Sequence, residues 1–449
     1  MSIGRIDFIR RVKDAYSHAG FRKYFNNSSW LLSERMLRMA TNLFVGIYVI
    51  NYLGPQKFGE LSYAQSFVGL FTAIAMLGLD GIVVRELVKS PDRQNMVLGT
   101  AFWMKIAGAL LAISVITLAT QFSGSTDEEH LLIFLICAAL LFQPADVIDF
   151  FFQARVQSRR VVYAQLVQLL TSSVLKLVLI WIGASLVWFA AVIVLDGAVL
   201  ALGLFTSYLL TGRSALPWRF DFQIARNLLQ NSWPLILSGI AITIYMRIDQ
   251  VMIREMLDAE SVGQYSAAVR LVEAWYFIPI AISTSLFPAI INARQSSQQL
   301  YFQRLERLYL FMVIAALAIA LPTTFLSTQI VVTFFGNAYS SAGDVLALYV
   351  WAGLFVFIGV VNSKALVAEN CQKQSLVRTM IGAVVNVLLN LVLIPLDGIR
   401  GAAIATLVSY ALSAYLTIPM FRGQWAHFVL VTKAIFLVRM FGKKNEKTH

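Results

Sequence analysis

The sequence predicts an all-α polytopic membrane protein of about twelve transmembrane helices, arranged as two six-helix lobes. Three observations lead there. Apolar residues make up 58% of the chain against 13% charged. They come in long runs and not in amphipathic periods, as membrane spans do. The basic residues fall almost wholly in alternate connections between those runs, which is the signature of an oriented membrane protein. The alternating strands of an outer-membrane barrel are absent from the pattern.

A span needs about 20 predominantly apolar residues. Twelve stretches meet that length, at 30–52, 61–79, 97–120, 129–152, 161–182, 186–210, 233–257, 263–292, 306–328, 343–369, 375–395 and 400–422. Residues 1–29 place Ile6, Ile9, Val12 and Tyr16 at near-helical spacing among basic residues, which reads as an amphipathic segment on the cytoplasmic leaflet. No small-residue cleavage site follows, so no cleaved signal peptide is expected. The expected organisation is a first lobe over 30–210, a basic linker over 211–232, a second lobe over 233–422 and a basic tail over 423–449.

Orientation follows from charge. The N-terminal segment, the connections after even-numbered spans and the tail hold 26 Lys and Arg, whereas Lys57, Arg254 and Arg400 are those of the other five connections. The positive-inside rule then places both termini in the cytoplasm. The net charge of +12 is spread over these loops, so it reads as orientation and not as a nucleic-acid surface. Cys137 falls in a span and Cys371 on the cytoplasmic side, so neither implies a disulfide.

The chain repeats weakly at an offset of 204 residues: Leu53, Gly59, Ser62, Ala64 and Val68 recur as Leu257, Gly263, Ser266, Ala268 and Val272. Six spans per half make the repeats parallel, and substrate is then expected between the halves. The stretches YLGPQKFGELSYAQSFVGLFTAIAMLGLDGIVVREL (52–87), NSWPLILSGIAITIYMRIDQVMIREMLDAESVGQYSAAVRLVEAWYFIPIAISTSLFPAI (231–290), FGNAYSSAGDVLALYVWAGLFVFIG (335–359) and NVLLNLVLIPLDGIRGAAIATLVSYALSAYL (386–416) carry a family likeness. The chain resembles the Wzx-type polysaccharide transporters, the O-antigen flippase branch of the multidrug/oligosaccharidyl-lipid/polysaccharide exporter (MOP) superfamily. The resemblance implies a V-shaped, MATE-like fold with helices 1, 2, 7 and 8 lining a cavity. It also implies movement of undecaprenyl-pyrophosphate-linked oligosaccharides across a bacterial inner membrane, for O-antigen, capsule or exopolysaccharide synthesis. Polysaccharide polymerase and chain-length proteins are the candidate partners, and no cofactor or metal is called for.

Charges inside spans are costly and mark function by default. Arg35 and Arg38 share a face in the first turns of span 1, with Glu34 placed to pair with Arg38. They either snorkel to headgroups or form a cationic entrance for pyrophosphate. Arg247 stands about 20 Å into span 7, and Arg270 about 10 Å from the outer end of span 8. On the cavity helices that the resemblance implies, their planar forks suit a diphosphate. The competing reading is neutralisation, of Arg270 by Glu273 and of Arg247 by Asp249. Asp249 and Glu273 are also the candidates for proton or Na⁺ coupling. Lys176 and Asp196 match in depth on consecutive helices and are expected to form a structural ion pair. Lys364 is expected to snorkel, and Lys105 has no evident partner. Asp146 and Asp149 read as a solvated cluster beside Arg155. Gly401, Ala405, Ser409 and Ser413 form a small-residue packing ridge, and Asn386 and Asn390 are expected to bond a neighbouring helix. Pro144, Pro279 and Pro322 are expected to kink their spans.

Two other classes fit less well. A membrane glycan polymerase or ligase needs acid, base or nucleophile groups at the outer face. The richest outer connection, QFSGSTDEEH at 121–130, reads as a solvated turn. A cation-coupled multidrug antiporter favours carboxylate and aromatic cavities, whereas the cavity helices that the resemblance implies carry at least as many Arg as acids. A lipid II flippase would share the cationic cavity but carries two additional helices, and residues 425–441 read as amphipathic and not as two spans.

Overall fold

A computed structural model of the chain describes residues 19–215, 217–369 and 371–436. Most of the expected N-terminal amphipathic segment and the end of the basic tail lie outside the described residues. Among the described residues all regular structure is helical. Ten helices are long and apolar enough to cross a bilayer. Two of them carry a non-helical break, so the ten supply the twelve passes that hydropathy predicts. Helix α1 (Ala19–Met76) breaks at Gly54, whose φ of 69° lies in the left-handed region that glycine tolerates, and Pro55 follows. Gly398, with φ of 57°, breaks the helix Gln372–Ala411 two residues after the Pro395–Leu396 step.

Between these come α2 (Asp80–Lys89) and α3 (Gln94–Thr120). The fourth span is composite: α4 (Asp127–Cys137), a 3₁₀ stretch Ala138–Asp146 and α5 (Val147–Ala154). Pro144 lies in the 3₁₀ stretch, where its missing N–H is accommodated by tightened backbone. Helices α6 (Arg159–Trp181), α7 (Leu186–Leu209) and α8 (Phe222–Met256) follow. The eighth span divides into α9 (Ala259–Glu273) and α10 (Phe277–Ser296). Pro279 falls in the first turn of α10, where no helical hydrogen bond is lost. Then come α11 (Gln298–Phe335), α12 (Ala342–Ala368), α13 (Gln372–Ala411) and the short α14 (Trp425–Ile435).

The helices gather into two compact units. One comprises residues up to Val45, Thr72–Ala119 and Phe134–Ile236; the other comprises Gly46–Phe71, Thr120–Ile133 and Leu237 onward. This grouping departs from the expected 30–210 and 233–422 in two segments, and local packing supplies the reason. Residues 46–71 are drawn to α9 where Gly59 and Gly263 approach closely. Residues 120–133 are tied to α8 by an ion pair between Glu129 and Arg254.

Helix association in a bilayer gains little from apolar burial, because lipid is as apolar as Leu; close packing and interhelical hydrogen bonds carry it. In the first unit Phe151 packs edge-on to Phe152 at 5.3 Å and to Tyr208 at 5.1 Å. In the second, Tyr301, Tyr309, Met312, Phe357, Ile358 and Val431 form the buried centre. Gly401, Ala405 and Ser409 of the small-residue ridge are buried, and a side chain on Gly401 would overlap the carbonyl of Leu393. Helix α14 buries His427, Leu430, Val431 and Ala434 and leaves Trp425 and, just past its end, Phe436 exposed, as an amphipathic segment does.

Candidate functional site

In the second unit, α8 directs alternate residues to different environments. Arg247 points Nη1 to Glu273 Oε1 at 3.9 Å, with the arginine side chain 39% and the carboxylate 25% exposed. Asp249 is 4% exposed and lies on another face. Its carboxylate accepts from Tyr265 Oη at 2.7 Å, from Asn390 Nδ2 at 2.6 Å and from the Thr406 hydroxyl. The expected neutralisation of Arg247 by Asp249 is therefore corrected. Two residues along a helix turn the side chain by about 200°, so 247 and 249 cannot share a partner.

Glu273 and Arg270, expected to neutralise each other, are not in ion-pair contact among the described residues. Arg270 lays its guanidinium over the Phe58 ring at 4.8 Å, and Nη1 lies 3.7 Å from where a Cβ on Gly46 would be. Packing on α1 holds the Arg270 guanidinium there, out of ion-pair contact with Glu273 but within its electrostatic reach, while Arg247 makes the 3.9 Å contact. Two guanidiniums thus stand near a single carboxylate.

Asp249 sits among tyrosines. Tyr245 stacks on Tyr410 at 4.3 Å, and Tyr265 meets Tyr349 edge-on at 5.9 Å. Asn390 also donates to Asn386 Oδ1 at 3.2 Å, and its own Oδ1 is buried without a partner. Two hydroxyls and an amide thus donate to one buried carboxylate, which satisfies its charge by hydrogen bonds. Among the described residues, no three His, Cys, Asp or Glu side chains gather to hold a metal.

The first unit carries three further polar sites. Arg38 Nε donates to Glu34 at 2.6 Å, and its Nη1 reaches Gln168 on α6 at 3.3 Å. Arg35, three residues earlier, is exposed. Lys176 Nζ lies 3.8 Å from Asp196 Oδ2, which also accepts from Ser172 at 2.9 Å.

Lys105 does have a partner, which the sequence reading missed. It is fully buried, 3.3 Å from Asp146 Oδ2 and 5.1 Å from the centre of the Phe150 ring. Depth parity could have found the pair: Lys105 lies eight residues inside the start of span 3 at 97, and Asp146 six inside the end of span 4 at 152. The solvated cluster expected beside Arg155 is corrected accordingly. Arg155 instead bonds Gln94 at 2.9 Å and covers Phe151 at 4.4 Å.

The connection at 121–130 is likewise more than a solvated turn. Glu129 is 1% exposed and takes a two-pronged bond from Arg254, at 2.5 and 2.8 Å. Glu255 accepts from Gly124 N at 3.0 Å and from Tyr63 Oη at 2.7 Å. Lys364 lies 5.1 Å from the centre of the Phe287 ring.

Residues 25–294 match the family described as "Polysaccharide biosynthesis protein". The probable low-salt glycan biosynthesis flippase Agl15 of Haloferax volcanii is 22% identical over 384 residues, which is 83% of this chain and 78% of that protein. The probable flippase AglR of the same organism is 23% identical over 403 residues, 84% and 80% of the two chains. The probable lipid II flippase MurJ of Helicobacter pylori is 31% identical over 169 residues, 36% of this chain and 37% of its own. Among solved structures, a lipid II flippase MurJ in an inward closed conformation superposes with a TM-score of 0.72 at 14% identity, covering 93% and 94% of the chains. An inward-facing multidrug resistance MATE family transporter of the MOP superfamily gives 0.68 at 14%, covering 91% and 96%. At such identity these likenesses show a shared fold, that of the MOP transporters.

Proposed function

The chain belongs to the polysaccharide biosynthesis protein family, and on that footing we propose that this multi-pass membrane protein is a flippase for lipid-linked glycans. The observation that carries the reading is the charge balance on α8 and α9, where Arg247 lies 3.9 Å from Glu273 and Arg270 is within electrostatic reach of the same carboxylate. A surplus guanidinium within a membrane span requires an anion or water. The half-exposed Arg247 can offer paired donors to a pyrophosphate. Two relatives named as flippases over four-fifths of this chain support the same class.

At finer grain, the substrate is an undecaprenyl-pyrophosphate-linked oligosaccharide. It moves by alternating access from the cytoplasmic to the outer leaflet of a bacterial inner membrane, with both chain termini cytoplasmic. Arg35 and Arg38 would receive the headgroup first, and Arg247 and Arg270 would hold it deeper. Asp249, with Thr406 and Asn390, would bind the coupling cation. Its single negative charge fits H⁺ or Na⁺ better than a divalent ion.

The test is complementation of a strain lacking its own flippase, supplied with lipid-linked units of known structure. The units should leave the cytoplasmic leaflet when this protein is present. Continued accumulation there, with the protein expressed and inserted, refutes the reading.

A further inference from the structure

Past the last residue of α12, Glu369 is fully engaged. It accepts from Tyr301 Oη at 3.0 Å, from Gln424 Nε2 at 2.9 Å and from His427 Nε2 at 2.8 Å, and Arg294 Nη1 lies 3.2 Å away. Close by on α13, Arg378 is 4% exposed, and its Nε and Nη2 have no hydrogen-bond partner. Its guanidinium lies 5.1 Å from the centre of the Phe421 ring. Tyr309, Glu369 and Cys371 are within its electrostatic reach.

A buried guanidinium without a hydrogen-bonded counter-charge is heavily disfavoured. The unpartnered atoms here are not scattered. Nε–H and Nη2–H form one edge of the guanidinium, the edge that meets two oxygens of a phosphate or carboxylate side-on. Glu369 cannot supply those oxygens without releasing Arg294, Gln424 or His427. The surrounding charge is positive in balance, with Arg294 partly exposed and Lys373 and Arg422 exposed nearby in sequence.

We propose that Arg378 is the centre of an anion site that takes a phosphate group side-on, with Phe421 as its cover. The charge distribution assigns this end of the unit to the cytoplasmic face, and exposed Trp425 on α14 and Phe436 just past its end lie beside it, as in interfacial helices. A phospholipid headgroup of the inner leaflet and a soluble phosphate offer the same chemistry. The site lies away from Arg247 and Arg270 in sequence, and the proposal does not rest on the transport reading.

The test uses full-length protein in lipid-depleted detergent. Unfolding temperature is followed while short-chain phosphatidylglycerol, or in a separate arm inorganic phosphate, is titrated in. Wild type should show a saturable upward shift, and Arg378→Met should show none. Without ligand, Arg378→Met should be at least as stable as wild type, because an unpaired buried charge has gone. A response to the lipid alone assigns the headgroup; an equal response to phosphate assigns the soluble ion. Equal titrations of the two proteins, or no shift in either arm, overturn the site. Should Arg378→Met fail to fold, Arg378→Lys keeps the charge without the fork and must lose most of the shift. Native mass spectrometry of wild type then serves as a second readout, and absence of any retained phospholipid or phosphate counts against the site.

Discussion

Gly59 and Gly263 occupy equivalent places in the 204-residue repeat, and they touch. A Cβ on Gly59 would lie 2.9 Å from Gly263 N and overlap the carbonyl of Ala259; one on Gly263 would overlap the carbonyl of Pro55. The crossing is backbone on backbone, the close approach that small residues permit between membrane helices. It shows why both copies of the repeat keep glycine at this position.

Substituting either glycine with Ala should therefore cost about 1–3 kcal/mol through overpacking, since a carbonyl cannot swing aside as a side chain would. Thermal unfolding in detergent measures this directly. Gly59→Ala and Gly263→Ala should each lower the midpoint, and the double variant should lower it by less than the sum, because one crossing is widened once. Unchanged midpoints would mean that the helices separate here at no cost.

The Lys105–Asp146 pair gives a second expectation. Removing one partner of a buried pair typically costs about 3–5 kcal/mol, whereas replacing both can be nearly neutral. Lys105 is fully buried whereas Asp146 is 30% exposed, so Asp146→Asn, which strands the lysine, should be severely destabilising, and adding Lys105→Met should recover most of the loss. Lys176 and Asp196 are each about a quarter exposed, so the same cycle there should give smaller effects. Equal damage from singles and doubles at both sites would sink the ion-pair account.

How far these features could be read in advance depends on the physical range of each signal. The twelve spans are legible because hydrocarbon thickness imposes a minimum apolar length. The Gly54 and Gly398 breaks fall between spans already separated by hydropathy. Lys176 and Asp196 could be matched because consecutive antiparallel helices make depth readable from residue number. Lys105 and Asp146 obey the same rule, but Asp146 also stands nine residues from Arg155, which offers a competing interfacial partner. The Asp249 cluster draws on α8, α9 and α13, and no local spacing announces which helices become neighbours. Glu129 was illegible for the same reason, its partner Arg254 lying 125 residues away.

Glu369 makes a prediction about acid. Burial raises its carboxyl, but hydrogen bonds and charge from His427, with bonds from Gln424 and Tyr301, outweigh this and bring it down from 4.5 to about 2. A carboxylate with a lowered value in the folded state contributes stability that is complete above about pH 4.5 and is lost as pH falls toward 2. Glu369→Gln should be less stable than wild type at neutral pH, and the gap should close between pH 4.5 and 2. Unfolding midpoints across that window provide the measurement; a constant gap contradicts the assignment.

The last prediction separates substrate binding from ion coupling. If Arg247 and Arg270 hold the anionic headgroup, Arg247→Gln with Arg270→Gln should abolish translocation while leaving response to an imposed ion gradient intact, read as ion-dependent protection of the protein from proteolysis. Asp249→Asn should do the reverse, because it removes the one negative charge in a cluster otherwise built of hydroxyls and amides. It should keep substrate binding and lose the ion response, whereas Glu273→Gln, which removes the carboxylate near Arg247 and Arg270, should retain that response. An Asp249→Asn protein with full, gradient-dependent transport would remove Asp249 from the coupling role. Loss of ion response in the arginine variants would instead mean that the two sites are one.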